Sequence, residues 1–155
     1  MAILRFEDIE SWQEARELAR EVYAVSKQGH FARDFRLASQ IQGAAASVMS
    51  NIAEGFDAGS DTEFVRFLRY ARRSANEVQS QLYIALDAGY IDQDQFRRIY
   101  HKATHTKKLI NGFIRYLRDC EDSRGKKAQI SKPEWTGYPD PSQQTRPDNF
   151  PTDDQ

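Results

Sequence analysis

Proline, cysteine and long apolar runs are scarce in this sequence, and each scarcity excludes a class of protein. All five prolines lie from Pro133 onward, so nothing breaks a helix in the preceding 132 residues. The single cysteine, Cys120, excludes an internal disulfide and fits a reducing compartment. No apolar run is long enough for a membrane span or a signal peptide, so we expect a cytoplasmic protein with no membrane partner.

Net charge is close to zero, but the charges are unevenly distributed along the chain. The 22 basic and 23 acidic residues give −1, which excludes the strong overall basicity of obligate nucleic-acid binders. Residues 1–63 carry six basic and eleven acidic side chains, whereas residues 64–118 carry eleven basic and four acidic ones. An anion-binding surface, if the protein has one, is therefore expected within residues 64–118.

Apolar residues recur at helical spacing in four stretches, which predicts an all-α, antiparallel, up-down-up-down four-helix bundle. Capping signals mark the helix starts: Ser11 with Glu14 and Ser60 with Glu63 fit the capping box. The small residues from Gly43 to Ser47 predict a close helix contact. The predicted helices run from Ser11 to Gly29, from Asp34 to Gly55 or Gly59, from Ser60 to Gly89, and from Asp92 past Leu117.

Two features bound the bundle at its C-terminal end. Asn111-Gly112 is a turn dipeptide, but the apolar period continues through it, so we predict one unbroken fourth helix. The proline-bearing segment that follows is rich in polar residues and lacks apolar surface for a core. We therefore predict a bundle over residues 1–123 and a disordered tail over residues 124–155.

No sequence motif for an enzyme is present, and we predict no catalytic residue, metal or cofactor. There is no nucleophile elbow and no phosphate-binding loop. His101 and His105 have the spacing of two metal ligands on one helical face, but no third ligand has matching spacing. We interpret them as two solvated histidines.

Four polar residues lie beside core positions in the middle of the predicted bundle. A catalytic carboxylate pair is one interpretation, but no histidine or lysine is placed to assist it. We favour a structural polar network that fixes helix register or a subunit interface. The predicted network consists of Asn51, Glu54, Asn76 and Glu77.

Basic residues cluster on the third and fourth predicted helices, and two interpretations of them stay open. They pair with an acidic stripe on the first helix, within the chain or between subunits, or they bind a polyanion or an acidic partner. The acidic stripe is Glu10, Glu14, Glu17 and Glu21. The candidate nucleic-acid or partner residues are Arg66, Arg69, Arg73, Arg97, Arg98, Lys102, Lys107 and Lys108.

Several short segments, in order along the chain, resemble one known family. They are residues 6–9 (FEDI), 12–18 (WQEAREL), 50–56 (SNIAEGF), 63–68 (EFVRFL), 74–77 (SANE) and 89–91 (GYI). The family is that of the four-helix-bundle proteins encoded in intervening sequences of bacterial 23S ribosomal RNA genes. The resemblance covers about residues 5–118.

The resemblance implies a bundle that assembles as a ring-like homopentamer, in a family whose molecular role is not established. Exposed aromatic residues predicted from the helical pattern, such as Tyr70 and Tyr83, also favour a homo-oligomer. A related group, the accessory variability proteins of diversity-generating retroelements, is strongly basic and binds nucleic acid and a reverse transcriptase. The family often has two arginines where Gln42 and Gly43 stand here.

The sequence therefore predicts a non-enzymatic, oligomeric interaction protein of this family. The alternative is an accessory protein that binds RNA, DNA or a reverse-transcriptase partner through the basic face of the third and fourth helices.

Overall fold

The computed structural model describes residues 3–124, and all regular elements in that range are helical. A short 3-10 turn precedes five α-helices, of which four are long. The elements are the 3-10 turn Phe6–Asp8, α1 Glu10–Ser26, α2 Gly29–Arg33, α3 Phe35–Asp57, α4 Asp61–Asp87 and α5 Gln93–Arg124. The predicted tail lies outside the described residues except for Arg124, the last residue of α5.

The four long helices form the predicted antiparallel bundle. Going round the bundle, α1 packs against α3, α3 against α4, α4 against α5, and α5 back against α1. The contact between α3 and α4 is the most extensive. Along each neighbouring pair residue numbers run in opposite directions, as the side-chain bonds from Gln79 to Thr104 and from Arg72 to Asn111 show for α4 and α5.

The interior is mainly aliphatic and is organised as two clusters along the bundle axis. One cluster lies where α2 closes the bundle, around the fully buried Phe31, Leu18 and Leu82. The other lies near the first turn of α1, around Ile52 and Leu68. The buried polar side chains in the described range are Ser11, Ser26, Gln79, Gln81 and Thr106, and none of them ionises near neutral pH.

Most predicted helix starts are confirmed by hydrogen bonds. The Asp34 carboxylate accepts a bond from the Leu37 amide at 3.0 Å, and Ser60 Oγ accepts one from the Glu63 amide at 3.2 Å. The Asp92 carboxylate accepts a hydrogen bond from the Gln95 amide at 2.8 Å, and the Gln95 side-chain oxygen accepts one from the Asp92 amide at 3.0 Å. α5 then continues through Asn111 and Gly112 without a break, as predicted.

The predicted start and end of the first helix were wrong. The 3-10 turn leads directly into α1, whose N-cap is Ile9, so Ser11 lies inside the helix and is 2% exposed. Glu14 contacts α5 instead of capping α1. At the other end α1 stops at Ser26, and Gly29 with its φ of +53° begins α2, which the sequence pattern did not predict.

The close approach predicted for α3 is confirmed against α4. Ser47 Oγ and Ser74 Oγ lie 2.9 Å apart across this contact. A Cβ added to Gly55 would lie 2.5 Å from the Phe64 ring and 2.9 Å from Phe67 Cβ, so only glycine fits there. Within the described range no helix combines the length and apolar character needed to cross a membrane.

Candidate functional site

Basic residues of α5 fall into two groups according to the helix they face. Those that face α1 meet its acidic stripe within the same chain. Arg98 Nε lies 2.6 Å from a Glu21 carboxylate oxygen, and Lys102 Nζ lies 3.1 Å from Glu14. His105 Nδ1 is 3.3 Å from the same Glu14 oxygen. These basic residues therefore pair with the acidic stripe of α1, which was the first of the two interpretations, and they do so within one chain.

Glu14 is the centre of this charge cluster and its ionisation is favoured. Its partial burial disfavours the charged carboxylate, but hydrogen bonds and charge from Lys102 and His105 outweigh that effect. The pKa of Glu14 therefore lies below its ordinary value. The carboxylate stays charged at neutral pH and holds α1 against α5.

Basic residues at the contact between α4 and α5 meet neutral partners instead. Lys107 Nζ donates to Asn76 Oδ1 at 2.8 Å, and an Arg72 guanidinium nitrogen donates to Asn111 Oδ1 at 2.8 Å. An amide oxygen orients a cation without cancelling its charge. The positive charge on this side of α5 therefore remains available to an external anion.

Together α4 and α5 form a surface that we call the outer α4–α5 face. It carries seven basic side chains that make no salt bridge with any acidic residue in the described range. Glu77, the acidic residue in the middle of α4, accepts a hydrogen bond from Gln81, which turns towards α3. The seven residues are Arg69, Arg72, Arg73, Lys107, Lys108, Arg115 and Arg118. Lys108 lies at the edge of this face, because it also lines a groove with Asp8 and Glu10.

Half of the eight candidate basic residues belong to this face and half do not. Arg69, Arg73, Lys107 and Lys108 lie on it, whereas Arg98 and Lys102 are paired with α1. Arg66 and Arg97 have acidic neighbours on their own helices, Glu63 at 3.1 Å and Asp94 at 3.6 Å. Such exposed pairs are weak and screened by salt.

Arg72, Arg115 and Arg118 belong to the outer α4–α5 face but were absent from the sequence-based candidates. The sequence feature that could have identified Arg72 is its spacing of three residues from Arg69. This spacing places Arg72 on the side of α4 that faces α5.

An aromatic cluster lies on the same side of the molecule, between the C-terminal half of α4 and the start of α5. The ring centroid of Tyr83 lies 4.9 Å from that of Phe96 and 5.9 Å from that of Tyr100. Tyr83 remains 51% exposed. The neighbouring Tyr100 and partial desolvation raise the pKa of Tyr83, so its hydroxyl is uncharged at neutral pH.

The four residues of the predicted polar network are not joined to one another within the protomer. Asn51 is half-buried and donates to the carbonyl and the hydroxyl of Ser47 on its own helix. Glu54 is exposed, and Asn76 and Glu77 bond to separate partners, Lys107 and Gln81. The subunit-interface version of that hypothesis stays a prediction.

Both histidines of α5 are exposed, and His105 also lies 3.3 Å from a Glu14 carboxylate oxygen. Within residues 3–124 no three acidic, histidine or cysteine side chains come together as a metal-binding group.

These features define an all-α four-helix-bundle protein whose charged chemistry lies on its surface. The chain belongs to the family of 23S rRNA-intervening sequence proteins, whose family model matches residues 7–112. No curated protein matches the chain. A crystal structure of a protein of unknown function from the S23 ribosomal protein family of Bacteroides thetaiotaomicron is similar, with a TM-score of 0.61 and 25% identity over 67% of this chain and 97% of that one.

Proposed function

We propose that the protein is a non-enzymatic, homo-oligomeric interaction protein that acts in the cytoplasm. The expected assembly is the ring-like pentamer that the family resemblance implies. The absence of ionisable side chains among the buried polar residues of the described range supports an interaction role over catalysis. The single observation that carries the proposal is an apolar groove on the surface of the protomer.

This groove, of about 410 Å³, lies between the N-terminal residues and α5. Its apolar lining includes Ile3, Ile9, Leu109, Phe113 and Tyr116. The charged residues Asp8, Glu10 and Lys108 line it as well. Ile3 is 39% and Tyr116 59% exposed, and neighbouring Leu4 is 63% exposed. Apolar side chains gathered around a groove, rather than scattered singly, are typical of a protein-binding surface.

A second apolar feature lies at the opposite end of the bundle. Phe35, the first residue of α3, is 80% exposed. Two unlike patches at opposite ends favour a contact between different surfaces of neighbouring subunits. Such contacts form a ring when the rotation from one subunit to the next closes. We propose that the end bearing Phe35 contacts the groove of the next subunit.

Mass in solution tests this proposal. We expect wild type at about five times the 17.9 kDa of one chain, and smaller species for Phe35→Glu and Tyr116→Glu, because either change places a charge in the proposed contact. Ser80→Glu, an exposed position on α4 away from both patches, is the matched control and keeps the wild-type mass. Wild-type mass in both patch variants would exclude this contact.

A second candidate function, nucleic-acid binding, is favoured by the outer α4–α5 face. Its seven basic residues have no acidic partner in the described part of the chain, and a symmetric ring would repeat them in every subunit. Closely spaced cations attract a polyanion and release its counterions on binding.

Binding of an oligonucleotide across a salt series tests this second function. We expect Arg69→Glu/Arg118→Glu to weaken binding and to reduce the salt dependence, since both side chains are exposed on the face. Arg16→Glu/Arg20→Glu makes the same change of net charge on α1 and is the control. Equal losses in the two variants would mean that overall charge, not this face, determines binding.

A further inference from the structure

We propose that the outer α4–α5 face is specific for single-stranded nucleic acid, with an unpaired base stacked on Tyr83. This inference rests on the second function proposed above and adds the class of nucleic acid and the contact that selects it.

The first argument is an exposed stripe along α4. Arg69, Arg73, Asn76, Ser80 and Tyr83 follow one another at spacings of four, three, four and three residues, and all are exposed. Residues at this spacing share one face of a helix. The stripe is about 21 Å long at 1.5 Å per residue, with two cations at one end and an aromatic ring at the other.

The chemistry of the stripe matches that of a single strand. Arg69 and Arg73 suit phosphate oxygens, and the Asn76 amide and the Ser80 hydroxyl can bond to base edges. Lys107 holds Asn76 from α5 through its 2.8 Å hydrogen bond and adds a further cation beside the stripe. Sequence-tolerant binders of single strands combine such a basic track with aromatic rings on which bases stack.

Tyr83 is held in place for stacking before any ligand arrives. Its ring packs against those of Phe96 and Tyr100, and these two stack on each other with centroids 5.4 Å apart. About half of Tyr83 remains open to solvent. A restrained, half-exposed, uncharged ring loses little conformational freedom when a base covers it.

A duplex fits this surface poorly. Its bases are stacked on one another, so their faces are hidden from Tyr83. The major groove, about 12 Å wide, admits a single helix, whereas α4 and α5 lie side by side along the whole stripe. Duplex binding would therefore use the cations alone and gain nothing from the aromatic cluster.

Binding of the full chain to four probes of equal length tests the inference: a single-stranded DNA, a single-stranded RNA, a DNA duplex and inorganic polyphosphate, which has no bases. We expect Tyr83→Ala to weaken binding to one or both single strands about tenfold and to leave duplex and polyphosphate binding unchanged. Tyr83→Phe should bind like wild type, since it keeps the ring. Ile84→Ala removes an apolar side chain of similar exposure, without an aromatic ring, from the neighbouring position of α4 and is the control.

The outcomes separate this inference from the function on which it rests. Unchanged affinity of Tyr83→Ala for all probes would overturn the inference and leave binding by charge intact. A lower mass of Tyr83→Ala in solution would also overturn it, because Tyr83 would then lie in a subunit contact. Failure of wild type to bind any of the four probes would overturn the second function itself.

Discussion

At the residue scale, two glycines of α3 should respond to alanine in opposite ways. A methyl group at Gly55 would collide with the Phe64 ring and with Phe67 Cβ, which is close to the backbone and cannot swing aside. Overpacking of this kind costs about 1–3 kcal/mol. We expect Gly55→Ala to lower the free energy of unfolding by about that amount, measured by urea denaturation at fixed protein concentration.

Gly43 is the matched control for Gly55. It lies in the same helix, is exposed, and an added Cβ would meet nothing within 4 Å. Alanine should therefore raise the free energy of unfolding by about 0.5–1 kcal/mol through helix propensity. Equal effects at the two positions would contradict the close packing of α3 against α4.

Glu14 makes the stability of the protein dependent on pH in the acid range. Its pKa in the folded protein is below the ordinary value of 4.5 because of Lys102 and His105. A lowered carboxyl pKa stabilises the folded state above the unfolded-state pKa, and this contribution is lost as pH falls through the folded-state pKa.

We expect Glu14→Gln to destabilise the protein at neutral pH and to flatten the loss of stability between about pH 5 and pH 3. Urea denaturation at a series of pH values measures both effects. Glu17→Gln, which changes an acid one turn away that pairs with Arg20 on its own helix, is the control and should follow wild type. Parallel pH profiles for wild type and Glu14→Gln would show that the contact with Lys102 and His105 does not form.

At the scale of the helices, local sequence patterns predicted most of the structure. Caps at Asp34, Ser60 and Asp92 work because each depends only on a side chain and an amide three residues later. Ser11 had the same pattern, but the 3-10 turn before it supplied the start of α1, and the pattern could not show this. α2 was missed because its five residues are too short for a period, and it is held by the buried Phe31.

Pairing between helices was harder to predict than the helices themselves. The sequence showed which residues of α5 are basic, but not that Arg98 and Lys102 turn towards α1 while Lys107 turns towards α4. That division depends on how α5 is rotated in the bundle. Likewise the positions of Asn51 and Glu54 beside core residues could not show that one is half-buried and the other exposed.

The start of α5 provides a test of the capping account. Asp92 Oδ1 accepts from the Gln95 amide, and Gln95 Oε1 accepts from the Asp92 amide. We expect Asp92→Ala to lower the unfolding free energy by about 1 kcal/mol, measured by chemical denaturation. Asp94→Ala removes an acid from the same turn that makes only an exposed ion pair, and it should cost less. A larger loss from Asp94→Ala would contradict this assignment of the cap.

At the scale of the whole molecule, we propose that two surfaces serve two functions. In this proposal the groove between the N-terminal residues and α5, together with Phe35, supplies apolar surface for self-assembly. The outer α4–α5 face would supply positive charge and Tyr83 for a nucleic acid. The acidic stripe of α1 is largely occupied within the chain, because Glu14 and Glu21 already hold α5.

The pairing of these α1 acids within the chain affects how the assembly should respond to salt. If acids of α1 paired with a neighbouring subunit, high salt would screen the pairs and dissociate the oligomer. Since Arg98 and Lys102 find their acids within the chain, the proposed contact is mainly apolar, and salt should weaken it little.

The most direct test of self-assembly is therefore the mass of the wild-type protein, measured by sedimentation across a salt series and a range of protein concentrations. We predict one oligomeric species, of about five chains, that keeps its mass at high salt. A mass of 17.9 kDa, that of a single chain, at every concentration and salt level would contradict the account.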